Sequence, residues 1–167
     1  MARRLARASS TLTIFADGAE VRRAADWLER SARDLGVPPA QIERLDLCLQ
    51  EALANVISHS GVSAHETVGL RLDVRQLQGG HEASVTITDS GYPFDATITK
   101  SKAPPATLAD AEPGGLGLLL MRSNCDAMAH ARRNGNNELH ITVRWLNAHL
   151  RHDRIQTSVL PARRRAP

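Results

Sequence analysis

Aromatic residues are scarce in this 167-residue chain: Phe15, Trp27, Tyr92, Phe94 and Trp145 are the full set. That excludes a surface of stacked aromatic platforms, the usual basis of single-stranded nucleic-acid binding. Cysteine is scarcer. Cys48 and Cys125 stand in apolar surroundings without C-x-x-C spacing, which excludes a disulfide framework and argues against a thiolate metal site. They read as buried thiols of a cytosolic protein. No run approaches the ~18 consecutive apolar residues of a membrane span. Arg3, Arg4 and Arg7 precede no apolar stretch, so no secretory leader is expected. A basic face within the fold is also missing. Those three arginines supply +3 and residues 151–167, with five Arg and one Asp, supply +4; against a total of +3, residues 8–150 sum to −4. The positive charge lies on the two ends, which argues against direct nucleic-acid binding by the folded part.

What is present is a pattern of alternating elements. Thr11–Ala16 has the β-branched alternation of a strand, closed by Asp17-Gly18. Ala19–Leu35 places Val21, Ala24, Ala25, Leu28, Ala32 and Leu35 at helical spacing, and Gly36 ends it. Pro38-Pro39 opens a longer helix over Ala40–Ser58. Thr67–Leu77 alternates Val68, Leu70, Leu72 and Val74 with polar residues and turns at Gln78-Gly79-Gly80 into a strand over Ala83–Thr88. Ser90–Gly114 has no period and reads as a long functional loop. A third helix is expected over Leu116–Met128. A last hairpin joins Ala129–Arg133 to Leu139–Trp145 across Asn134-Gly135-Asn136-Asn137. This order predicts an α+β, two-layer sandwich: one mixed or antiparallel sheet with helices on one face.

Three places resist a purely structural explanation. Glu51 and Asn55 are four residues apart, hence on the same face of an otherwise apolar helix. A carboxylate and an amide there are costly to bury unless paired or lining a cavity. Asp89-Ser90-Gly91-Tyr92-Pro93-Phe94 sets an acid at the end of an apolar strand, followed by a glycine; an Asp-Gly turn explains it equally well in isolation. Pro113-Gly114-Gly115-Leu116-Gly117-Leu118 opens a helix, where free N–H groups and the macrodipole favour phosphate. No Lys-Ser/Thr follows, so this is not a Walker A loop, and the βαβ setting of a dinucleotide fingerprint is missing.

Taken in order, E-x-x-x-N, D-x-G-x-P-F and G-G-L-G-L resemble the N, G1 and G2 boxes of the GHKL ATPase superfamily and its Bergerat ATP-binding fold (the HATPase type). The resemblance covers about residues 10–146, leaving a basic arm over 1–9 and an Arg-rich tail over 147–167. Within the superfamily the chain is most similar to the stand-alone anti-sigma factor serine/threonine-protein kinases of bacteria. Pro93-Phe94 replaces the D-x-G-x-G usual in sensor histidine kinases, and the helix Gly117 to Met128, with Asp126 near its end, matches this branch's G-L-G-L-x-L-x-x-x-x-x-D pattern, which begins at Gly115. The length leaves no room for the dimerisation module of a sensor kinase, or for a gyrase or an Hsp90-type chaperone. Val56, where a small Ala is usual, and Asn124-Cys125 depart from the pattern without removing a ligand.

The resemblance implies ATP and Mg²⁺ as cofactors, with roles for individual residues. Asn55 would coordinate Mg²⁺, and Glu51 would be the general base for a serine or threonine hydroxyl. Asp89 would accept the adenine amine, Gly91 would leave space for the ring, and Thr142 would bond the adenine through water. Gly115, Leu116 and Gly117 would offer N–H groups to the phosphates, and Ala96–Gly114 would be a lid. His59 and Arg122 are weaker candidates, better explained as a locally bonded helix-end histidine and a solvated arginine, while Lys100 and Lys102 in the lid serve phosphate or loop solubility equally well. The implied substrate is a STAS-domain anti-anti-sigma protein, the alternative partner an RNA polymerase sigma factor, and the setting cytoplasmic transcription regulation by partner switching. Homodimers are common in the family, so a homodimer is left open. The rival is a nucleotide-switched sigma- or antagonist-binding module without kinase activity. A third, the ATP-binding half of a split signalling kinase, is disfavoured by Pro93.

Overall fold

The computed structural model describes residues 7–95 and 115–146. The basic residues before position 7, the expected lid with Lys100 and Lys102, and the tail from 147 lie outside the described residues. Five strands form one antiparallel sheet in the order β1-β2-β3-β5-β4. They are β1 (Arg7–Phe15), β2 (Thr67–Leu77), β3 (Gly80–Asp89), β4 (Ala127–Arg133) and β5 (Asn136–Leu146). The helices α1 (Val21–Asp34), α2 (Pro39–His59) and α3 (Gly115–Asn124) complete the set, with a 3-10 turn over Gly18–Glu20. The α+β sandwich expected from the sequence is the one observed, and its sheet is antiparallel rather than mixed.

Alternation decides which face of the sheet is buried. Val68, Leu70, Leu72 and Val74 of β2, Ala83, Val85 and Ile87 of β3, and Ile141 and Val143 of β5 are buried. They pack against Ala24, Trp27, Leu28 and Ala32 of α1 and against Ile42, Leu45, Cys48, Leu49, Ala52 and Leu53 of α2. The other face is polar: Arg7 and Arg71 meet Asp73, while Arg75 and Arg144 meet Glu82. The helix boundaries follow local chemistry. Gly36 ends α1 at φ +77, and Val37 N–H donates to Ala32 O at 2.9 Å in a Schellman closure. Pro39 begins α2, where its missing N–H costs nothing.

Several boundaries differ from the sequence expectation; β3, for one, begins at Gly80 rather than Ala83, so Gly80 belongs to the strand and not to the turn. β1 begins at Arg7 rather than Thr11, because pairing with β2 runs on to Arg7↔Arg75 and Arg7 binds Asp73 across the strands. α3 ends at Asn124 rather than Met128. Asn124 Nδ2 donates to Leu120 O at 2.8 Å, then Asp126 N–H donates to Thr142 O at 2.8 Å and draws the chain into the sheet. The apolar Ala127 and Met128 therefore belong to β4. The last hairpin turns on two residues, not four: Asn134 and Gly135 carry φ of +51 and +82, the double positive φ of a tight turn whose twist matches the strands. This extends β5 back to Asn136 and brings Asn137 into the strand.

Arg44 ties these elements together. It donates to Asn124 O at 2.9 Å and pairs with Asp126 at 3.0 Å, and Asp126 also accepts from Arg144 N–H at 2.6 Å. Cys48 is buried, both cysteines are free, and Cys48 Sγ donates to Met121 O at 3.6 Å. Burial, reinforced by Cys125, pushes the Cys48 thiol up to about 12, so it is an unreactive packing residue. Among the described residues no helix is long and apolar enough to cross a membrane.

Candidate functional site

A small, partly enclosed pocket opens between α2 and the β4 side of the sheet. Ala52 and Val56 of α2, Ile87 of β3, Leu139 of β5 and Met121 of α3 supply apolar walls, and Phe94 stands at its side. Asn55, His59, Ser60, Asp89, His130 and Asn137 supply the polar groups. Apolar walls around a few fixed polar groups suit a flat heterocycle with hydrogen-bonding edges.

Asp89 is the last residue of β3 and is 7% exposed. Its Oδ1 accepts from Gly91 N–H at 2.8 Å and from Asn137 Nδ2 at 3.0 Å. No described residue donates to Oδ2, which leaves one carboxylate oxygen to meet a ligand. The loop after Asp89 is fastened from several sides. Asn137 Nδ2 also donates to Tyr92 O at 2.9 Å, and Tyr92 N–H donates to Ser60 O at 2.7 Å. Arg132 bridges Gly91 O at 3.1 Å and Asn137 Oδ1 at 2.7 Å. Acceptors on one side of the Asn137 amide and donors on the other fix its orientation. A Cβ at Gly91 would lie 2.5 Å from Ser60 Cβ and 2.6 Å from Ser60 O. The glycine is thus required where this loop packs on the end of α2.

Glu51 lies on α2 one turn before Asn55, half-buried. A Cβ on Gly117 would run into its carboxylate Oε2, so Glu51 reaches the first turn of α3. A carboxylate beside a helix N-terminus is favourably placed against the macrodipole. Gly115 opens α3, and Leu116 is 41% exposed on the same turn. The first and third sequence motifs therefore meet through Glu51 and Gly117, 66 positions apart in the chain.

The structure gathers Asn55 and Asp89 into one pocket, sets Gly91 beside Asp89, and joins Glu51 to Gly117. His59 ends α2 and lines the pocket, with no local hydrogen bond among the described residues. Arg122 is part-buried on α3. Thr142 is placed differently from expectation. Ile141 and Val143 take the buried face, so Thr142 points to the opposite face of the sheet and shares a 2.7 Å hydrogen bond with Ser84. It cannot reach a ligand between α2 and the sheet. Asn137, two residues before Leu139 on the inward face, holds the place beside Asp89 instead. Asn137, Ser60 and His130 went unread in the sequence. The signal for the first was the Asn134-Gly135 dipeptide, which fixes the strand register two residues later.

Fold and site together define a Bergerat-type ATPase domain. The chain belongs to the family described as histidine kinase-like ATPase domain, which matches residues 14–145, and membership implies a nucleotide site. Over 98 residues it is 40% identical to the serine/threonine-protein kinase BtrW of Bordetella bronchiseptica, covering 59% of this chain and 67% of that protein. It superposes on the RsbU and RsbW domains of Rv1364c from Mycobacterium tuberculosis with a TM-score of 0.55 at 13% identity, over 81% of this chain and 32% of that one. For a chain of the SiaB–SiaC complex from Pseudomonas aeruginosa the TM-score is 0.53 at 13% identity, over 80% and 88%. At that identity these two structures show the fold alone. The resemblance of the three motifs to the GHKL superfamily and its anti-sigma kinase branch is thereby borne out.

Proposed function

We propose that this protein is an ATP- and Mg²⁺-dependent serine/threonine-protein kinase that phosphorylates a STAS-domain anti-anti-sigma protein and, when released from it, sequesters an RNA polymerase sigma factor. The observation that carries the proposal is the meeting of Glu51 with Gly117 at the start of α3, one helical turn from Asn55 on the pocket wall. A binding module has no need of a carboxylate at that point, whereas phosphoryl transfer to a hydroxyl needs a base there. The family name and the 40% identity to BtrW support the reading.

Asp89 Oδ2 accepts the exocyclic amine of adenine, and the apolar walls enclose the ring. Gly115, Leu116 and Gly117 offer backbone N–H groups to the phosphates. The donor set fits a divalent cation shared with phosphates: Asn55 gives one hard amide oxygen, and Mg²⁺ ordinarily takes one or two protein ligands and keeps water and phosphate as the rest. Once bound it would neutralise charge on the phosphate oxygens. Glu51 takes the proton of the attacking hydroxyl as its oxygen bonds to the γ-phosphorus and the bond to the β–γ bridging oxygen breaks, leaving ADP. Catalysis here rests on positioning more than on covalent participation by the protein.

The test is to incubate the purified protein with γ-labelled ATP, Mg²⁺ and lysate of the source cells, beside Glu51→Ala. A small protein labelled on serine or threonine by the wild type, and at least ~100-fold less by the variant, is the expected result. Equal nucleotide affinity of both proteins with no Glu51-dependent label would move the assignment to a nucleotide-switched binding module.

A further inference from the structure

His130 lies on β4 opposite Leu139 and turns its ring inward onto the pocket. Its side chain is 11% exposed, its Nδ1 is 3.7 Å from Asp95 Oδ2, and its Nε2 is buried without a hydrogen-bond partner among the described residues. Leaving a ring nitrogen unsatisfied in the interior is costly, and native proteins rarely do so without a reason. Nothing in the fold uses this nitrogen. An apolar side chain of the same size could line the pocket at this position without that cost.

We infer that His130 is a specificity-determining residue that selects a 6-amino purine over a 6-oxo purine; the inference rests on the nucleotide reading of the same pocket. With Asp95 facing Nδ1, the proton belongs on that nitrogen, which leaves Nε2 as a buried acceptor without a partner among the described residues. Two of the residues that line the pocket thus carry an acceptor that no described residue satisfies, Asp89 at Oδ2 and His130 at Nε2. An exocyclic amino group carries two N–H donors and suits such a pair. A 6-oxo group sets a third acceptor against both and is rejected, because the buried acceptors are left unpaired. Asp89 alone would read the amine by one bond; His130 adds the second.

The experiment is calorimetric titration of the full chain with ATP, inosine triphosphate and purine riboside triphosphate, which has no substituent at C6. In His130→Phe, which keeps the bulk and removes the acceptor, ATP affinity is expected to fall about tenfold. Purine riboside triphosphate should be unaffected, so the ATP preference narrows. His130→Gln, which restores a carbonyl acceptor, should keep most of the preference and guards against a Phe variant that fails to fold. An equal loss for all three ligands, or no loss for ATP, overturns the inference and makes His130 a wall residue. If the wild type binds none of them, the nucleotide reading itself fails and the inference with it. If the wild type prefers ATP and both variants keep that preference unchanged, only the role of His130 is lost.

Discussion

β3 carries two buried carboxylates seven residues apart, Glu82 and Asp89, 5% and 7% exposed. The odd spacing puts them on opposite faces of the sheet. Glu82 is answered by charge: Arg75 at 2.6 Å and Arg144 at 2.7 Å, from the strands on either side. Burial raises its pKa, but the hydrogen bonds and charges of the two guanidiniums outweigh it and hold the carboxyl below its usual range. Asp89 is answered by dipoles, a backbone N–H and the Asn137 amide, both on one oxygen. The first carboxylate is finished by the fold. The second, on the pocket lining, is left half-finished, with both donors on one oxygen, and that difference separates a structural acid from a candidate binding one.

The largest expected effect tests the binding acid. Asp89→Ala should lower the affinity for ATP and for ADP alike by about 100-fold in calorimetry, the size of a charge-assisted hydrogen bond and a loosened pocket. Normal nucleotide binding by the variant would put the base elsewhere. Glu82→Ala should do the reverse. It leaves nucleotide affinity within about twofold and lowers unfolding stability in urea by about 1–2 kcal/mol, a buried-pair loss reduced by the exposure of both arginines.

Acid titration sharpens the same contrast. A carboxyl whose folded pKa is depressed contributes stability that is present above its unfolded pKa and lost as pH falls through the folded value. Glu82, Asp73 and Asp126 are all depressed by arginine partners, which outweigh the opposing effect of desolvation. The urea midpoint should therefore fall as pH drops below the ordinary carboxylate range, and fall less steeply in Glu82→Gln. A midpoint flat down to pH 3 would contradict the ion-pair ladder. The smallest effect is expected at Thr142→Val: ATP affinity unchanged within about twofold, and stability lowered by about 1 kcal/mol through the lost bond to Ser84. A large loss of binding would return Thr142 to the site.

Alternation and turn chemistry made much of the fold legible in one dimension. β2 runs over Thr67–Leu77 as its alternation demands, and α2 spans Pro39–His59 where Pro38-Pro39 opens an apolar helix. The three motifs also marked Glu51, Asn55, Asp89 and Gly117 without any structure, because a helical turn and a strand end fix where such side chains point. What misled was apolar content read without its partner. Ala127 and Met128 extend a helical pattern equally well, and only the pull of Thr142 O on Asp126 N–H makes them strand.

The sequence by itself determined the order of the elements, since periodicity is a local property, and its three motifs marked the family and the candidate site residues. The tertiary structure alone decided which of those residues meet. The two-residue Asn134-Gly135 turn shifts β5 so that Asn137 faces Asp89 while Thr142 faces away. Side chains in a strand alternate with a period of two, so register, which only pairing with a neighbour can set, determines which of them reach the pocket.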